Sequence, residues 1–235
     1  MRRDIPGETI DGYAREYVCV PAHFLTRAPR GYNHVQAATL PCAAVTAWRA
    51  LVVQGKLKPG DTVLIIGSGA VSLFALQFAK AAGARVIATS SCDEKLEKLK
   101  RCGADDLINY RSTPDWGERA KTLTDGRGVD HVIEVGGPAT FAQSMAACRL
   151  GGHIAVVGLL SGVMAEVNIP ALFSMQLRVS GISVGNRADQ EDMTRAIEVN
   201  GLVPVVDRTF GLGHIAHAFE RFETQSRFGK IVLEI

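Results

Sequence analysis

The stretch Thr62-Val-Leu-Ile-Ile-Gly-Ser-Gly-Ala-Val-Ser72 decides how this chain folds. A short apolar, β-branched run meets a glycine turn, and a helical pattern starts at once. Gly67 lets the chain leave the strand in a tight turn, with Ser68 at its tip. Gly69 has no Cβ, so backbone there can approach a pyrophosphate closely. The N–H groups of Ala70 and Val71 then point outward from a helix N-terminus, where the dipole favours negative charge. Ser72 stands where the G-x-G-x-x-G pattern has its third glycine, and so small a residue still permits close helix–strand packing. Taken alone, such a pattern can also be a turn that binds nothing.

The surrounding order of elements argues against the bland reading. Helical periodicity covers Val71 to Ala82, with apolar residues on nearly every side. Strands follow at Arg85 to Thr89, Leu107 to Tyr110, Asp130 to Val135, Ile154 to Val157 and Arg178 to Val184. Helical stretches at Asp93 to Cys102, Asp115 to Leu123 and Thr140 to Cys148 separate them. Strands alternating with helices at this spacing imply right-handed βαβ units and a parallel sheet. The predicted fold class is α/β, a doubly wound parallel sheet of Rossmann type. Residues 1–45 and 186–235 have shorter, less regular patterns, ending in a strand-like Lys230 to Ile235. In such sheets the ligand lies beyond the carboxyl ends of the strands. That places Val135, Gly136, Gly158, Leu159, Ser183 and Val184 along its track, although each could equally be part of a plain turn after a strand.

The end of the second strand separates the two nicotinamide cofactors. An NAD site takes an Asp or Glu there to bind the ribose 2′-hydroxyl. Here the strand runs into Ser90 and Ser91, and the acids Asp93 and Glu94 fall where the next helix begins. Two hydroxyls, with Lys95 one turn on, suit a 2′-phosphate. Tyr110 and Arg111 lie at the end of the neighbouring strand. The reading therefore favours NADP, with NAD second. The alternative is that Ser91 or Asp93 caps a helix and Lys95 is solvated. A Rossmann unit for a different nucleotide, such as an S-adenosyl compound, would prefer the acid that is absent.

Composition excludes several classes. Lys plus Arg total 26 against 24 Asp plus Glu, which gives no basis for a nucleic-acid partner. The five cysteines are scattered, with no C-x-x-C pair. That argues against a disulfide framework and favours a reducing, cytoplasmic setting. No apolar run approaches bilayer length, so no membrane association is expected. The six histidines show no partner pattern for triad or metal chemistry.

LPCAAVTAWRAL (Leu40 to Leu51), the glycine stretch, GADDLINYR, GVDHVIEVGG and the final FGKIVLEI together resemble the medium-chain dehydrogenase/reductase superfamily. The likeness is to its NADP-dependent quinone oxidoreductase-like and zinc-type alcohol dehydrogenase-like members. The resemblance implies a Rossmann domain (46–185) and part of a GroES-like β-rich domain, built from residues 1–45 and completed by 186–235. It implies that Thr46 contacts the nicotinamide, that Ser91, Lys95 and Tyr110 hold the 2′-phosphate, and that Lys230 belongs to the cofactor site. It implies hydride transfer between NADPH and a quinone, enone, aldehyde or alcohol, and a homodimer paired through the sixth strand. The chain opens on residues similar to the end of the family's N-terminal domain. The expectation is therefore that most of that domain is missing and that this chain has impaired turnover or serves only to bind cofactor. Cys42 falls where zinc-dependent relatives place a ligand. A single cysteine cannot hold a catalytic zinc, and its apolar setting suggests a buried small hydrophobe. No zinc and no identifiable catalytic acid are expected.

Overall fold

The computed structural model describes residues 5–224 and 226–235. Six parallel strands form one sheet: β1 (Thr62–Ile66), β2 (Arg85–Ser90), β3 (Asp106–Asn109), β4 (Val129–Glu134), β5 (Cys148–Val156) and β6 (Arg178–Gly181). Their spatial order is β3-β2-β1-β4-β5-β6, with β6 at an edge. The order reverses between β2 and β4 on either side of β1, which makes the carboxyl end of β1 the switch point where such sheets bind ligands. This is the doubly wound sheet expected from the sequence. A separate pair, β7 (Val206–Gly211) and β8 (Lys230–Glu234), also runs parallel.

Strand β1 shows why the sequence has apolar runs without alternation. Successive side chains point to opposite faces, and both faces are covered. Val63 and Ile65 enter one core with Leu73, Leu76, Val86 and Met193. Leu64 and Ile66 enter a second core with Ile87, Trp116, Val132 and Phe141. Each such side chain contributes roughly 1.5–3 kcal/mol on burial.

The helices are α1 (His34–Gln54), α2 (Ala70–Ala81), α3 (Asp93–Arg101), α4 (Trp116–Thr122), α5 (Pro138–Ala147), α6 (Ile169–Ser174), α7 (Arg187–Asn200) and α8 (Ile215–Glu223). Helix α1 departs from expectation, because its residues are long and apolar enough in combination to meet a membrane-spanning criterion. Leu40, Val45, Ala47 and Leu51 are instead packed against α2 and the sheet. Pro41 cannot donate to the helical ladder, and parts of α1 are wound in wider i→i+5 turns. Helix α7 opens with a reciprocal Asn186–Asp189 capping box and ends on Gly201 at φ 59°. Met193 and Ile197 of α7 join the same core as β1. Packing thus continues across residue 185, as it does across residue 45.

Charges close the amino ends of the strands. Asp130 accepts from Arg127 and Arg149 and from the amide of Thr62 (2.8 Å). Those donors hold its carboxyl well below the usual carboxylate range, against the opposing effect of burial. Beside it His131 Nε2 lies 3.1 Å from Asp61, and His131 Nδ1 lies 3.5 Å from His153 Nδ1.

Candidate functional site

The carboxyl ends of the strands open into a cleft of about 1360 Å³. That exceeds the usual range for small ligands and suits an extended molecule. Its floor is the glycine turn. Gly67 has φ 72°, a left-handed conformation that side chains disfavour, and its amide donates to the Thr89 carbonyl at 2.9 Å. Gly69 is the N-cap of α2 and offers no side-chain cap. The first amides of the helix therefore have no local side-chain acceptor, and a Cβ at Gly69 would meet nothing within 4 Å. Ser72 is fully buried, and its hydroxyl donates to the Ile66 carbonyl at 2.7 Å. The residue in place of the third glycine ties helix to strand.

The cleft gathers most residues singled out in the sequence. Thr46, Gly67, Ser68, Gly69, Ala70 and Val71 line it at β1 and α1. Ser91, Lys95 and Tyr110 line the β2–β3 side, with Arg111. Val135, Gly136, Gly158, Ser183 and Val184 line the β4–β6 side. Three residues do not join them. Ser90 ends β2 with its side chain buried, because strand alternation turns it to the face opposite that of Thr89, which lines the cleft. Leu159 projects into solvent beside the cleft. Lys230 begins β8, and Arg227, three residues earlier, stands at the cleft instead.

Electrostatics distinguish the β2–β3 side. Lys95, Arg111 and Arg227 all line the cleft there or at its rim, against one acid, Glu223. Desolvation lowers the pKa of Lys95, and the charges of Arg227 and Lys98 act in the same direction. The guanidinium of Arg227 lies 4.0 Å from the Phe222 ring. Neither Ser91 nor Asp93 caps α3, whose N-cap is Cys92 without a side-chain bond. Asp93 accepts from Asn109 Nδ2 at 2.6 Å. At the end of β2 the Thr89 hydroxyl is fully buried and has no hydrogen-bond partner among the described residues, although Thr89 lines the cleft.

Other features were not visible in the sequence. Val184 is β-branched yet has φ 58°, a strained conformation of the kind found at functional sites. Thr46 is buried, and its hydroxyl donates to the Cys42 carbonyl at 2.7 Å, leaving the oxygen able to accept. Cys42 itself corrects an expectation. It is exposed and faces the cleft, because the wide turn of α1 sends Leu40, Ala43 and Ala44 inward and Cys42 out. Among the described residues no group of three or more His, Cys, Asp or Glu side chains could hold a metal. A catalytic zinc usually takes three protein ligands, and Cys42 alone supplies one.

A family model described as zinc-binding dehydrogenase matches residues 70–199. A zinc-type alcohol dehydrogenase-like protein of Schizosaccharomyces pombe is 43% identical over 97% of this chain and 68% of its own length. A structure from Sinorhizobium meliloti 1021, solved as a candidate alcohol dehydrogenase, superposes with a TM-score of 0.94 at 40% identity, covering 99% of this chain and 67% of that one. A mycobacterial structure complexed with NADPH has a TM-score of 0.81 at 28% identity, over 92% of this chain and 69% of that one. The chain spans about two thirds of the length of these relatives.

Proposed function

Because the chain belongs to the zinc-binding dehydrogenase family, we propose that its cleft holds a nicotinamide dinucleotide, NADP(H) in preference to NAD(H). The reaction would be hydride transfer to or from a quinone, enone, aldehyde or alcohol. One observation carries the cofactor reading. The uncapped start of α2 and the cationic β2–β3 side, which has no acid at the end of β2, open into one cleft. The unpartnered Thr89 hydroxyl adds a polar group with a bond still to make.

The residues divide the work. The amides of Ala70 and Val71 receive the pyrophosphate. Ser91, Lys95 and Tyr110 receive the 2′-phosphate, with Arg111 and Arg227 adding positive potential. Thr46, Ser183 and Val184 border the far side, where the ring that carries the hydride would lie. The bound cofactor supplies the hydride, and the chain orients it and keeps water from it. A mycobacterial relative was solved with NADPH, and another solved relative is described as an NAD-dependent alcohol dehydrogenase. The preference therefore rests on this chain's own residues. We further propose that two copies pair across the β6 edge, where an exposed strand leaves backbone groups free to pair.

Titration with NADPH and NADH, followed by nicotinamide fluorescence, tests this reading. Tighter binding of NADPH is expected. Binding of neither would refute the cofactor assignment, and tighter NADH would refute the preference. A dichlorophenolindophenol or quinone reduction assay then separates turnover from binding alone.

A further inference from the structure

At the carboxyl end of β4 the Glu134 side chain is completely buried beneath the cleft. A buried carboxylate is costly unless donors replace the water it has lost. Its Oε1 accepts the amide hydrogens of Gly136 (2.7 Å) and Gly137 (3.0 Å) and the hydroxyl of Thr140 (2.6 Å). Its Oε2 accepts the hydroxyl of Ser144. All four donors are neutral. Thr140 and Ser144 are one turn apart on α5, so one helix face supplies both hydroxyls.

The main chain of the same residue holds the neighbouring loop. The Glu134 carbonyl accepts from the amides of Val157 (2.8 Å) and Gly158 (3.2 Å). Both loops line the cleft, the first through Val135 and Gly136, the second through Val157 and Gly158. They also hold each other. The Gly136 carbonyl accepts the amide and the hydroxyl of Ser161 at 2.8 and 2.7 Å. A Cβ on Gly158 would lie 2.3 Å from the Val135 carbonyl oxygen.

We propose that Glu134 is a positioning residue for the dinucleotide, fixing through its buried carboxylate and its carbonyl the two loops that wall the cleft beyond β4 and β5. This rests on the nicotinamide reading above and assigns it a residue that does not touch the ligand. Preorganised backbone groups need not rearrange when the ligand arrives, so their affinity is not spent on ordering loops. What matters is the set of acceptor oxygens rather than the charge. A glutamine keeps one oxygen for the three donors of the loop and can donate to Ser144, whose hydroxyl is free to rotate. Alanine strands two amides and two hydroxyls, and aspartate is one methylene too short to reach them all.

The test compares wild type, Glu134→Gln, Glu134→Asp and Glu134→Ala in titrations with NADPH and with adenosine 2′,5′-bisphosphate. Melting temperatures are recorded alongside. The bisphosphate fragment spans the 2′-phosphate side and the glycine turn and stops short of the loops after β4 and β5. Alanine and aspartate are expected to weaken NADPH by roughly tenfold or more, as expected when buried polar groups lose their partners. The fragment should stay within about threefold in every variant, and glutamine within about threefold for both ligands. The aspartate variant decides the matter if the alanine variant does not fold. Equal loss of NADPH and fragment would make Glu134 a general stabiliser and overturn the proposal, as would unchanged NADPH binding by the aspartate variant. Failure of wild type to bind either ligand overturns the cofactor reading and this proposal with it. Binding by wild type with unaffected variants overturns the proposal alone.

Discussion

The amide of Gly229 donates to the carbonyl of Ser68 at 3.3 Å, so the C-terminal return of the chain is fastened to the glycine turn. Gly229 also forms an isolated parallel bridge with Gly69. This fastening brings Arg227 to the cleft, some 130 positions in sequence from Lys95. The fastening places charge from the chain's end beside charge from its first βαβ unit.

The cluster of Lys95, Ser91 and Tyr110 makes the first prediction. Lys95→Ala should weaken NADPH roughly tenfold or more, the scale of one charge-assisted hydrogen bond, and NADH much less. Fluorescence titration of both cofactors checks it. Equal loss for both would remove Lys95 from the 2′-phosphate site.

Strain at Val184 makes the second. A β-branched residue at φ 58° costs on the order of 1–2 kcal/mol. Asparagine tolerates that conformation, and the valine side chain is partly exposed, so little burial is lost. Val184→Asn should raise stability by about 1 kcal/mol in urea unfolding. A lower midpoint would show that the valine's contacts outweigh its strain.

The paired histidines His131 and His153, neighbours in register on β4 and β5, make the third. Burial, with the charges of His131 and Arg178, pushes His153 down to about 4. Burial also lowers His131, against the hydrogen bond and charge of Asp61. An unfolded histidine titrates near about 6.5. Between those values the unfolded chain binds more protons, so stability should rise with pH there and be lost as pH falls from about 6.5 to about 4. His153→Leu should flatten that slope in urea titrations at pH about 7 and about 5. An unchanged slope would assign the acid sensitivity to other groups.

The β6 edge makes the fourth. Val179 is partly exposed on that strand, and Leu159, Leu160 and Met164 are exposed nearby. An edge bearing lysine resists pairing. Sedimentation should show a dimer for wild type and a monomer for Val179→Lys. A wild-type monomer would remove the edge from the assembly.

Much of this architecture was legible from local pattern. Val63 to Ile66 read as a doubly covered strand because both faces need apolar residues, and the alternation of strands with helices located the six strands of the sheet. Their lengths were less visible. Strand β5 begins at Cys148 rather than Ile154, because Arg149 and two glycines interrupt its apolar run. Helix α7 was missed although its caps were present in Asn186, Asp189 and Gly201. Only Met193, Thr194 and Ile197, with Asp189, are buried, so its apolar stripe is thin. Pro41 hid the helix through α1. The β2 terminus was read from the missing acid together with the serine hydroxyls and Lys95, and Ser91, Lys95 and Tyr110 line one cleft. Arg227 and the Glu134 bonds depend on contacts across the fold, for which a linear pattern gives no signal.

The charged closure around Asp130 and the ligand-facing cleft lie at opposite ends of the same strands. Five or six residues separate them, about 17–20 Å of extended chain. Changes that far apart, with no shared partner, combine additively to within a few tenths of a kcal/mol. On the proposed cofactor reading, ligand choice can therefore be retuned at Ser91 or Lys95 without drawing on the ion pairs that brace the sheet. A weakened protein could in turn be reinforced at its amino-terminal edge with its selectivity intact.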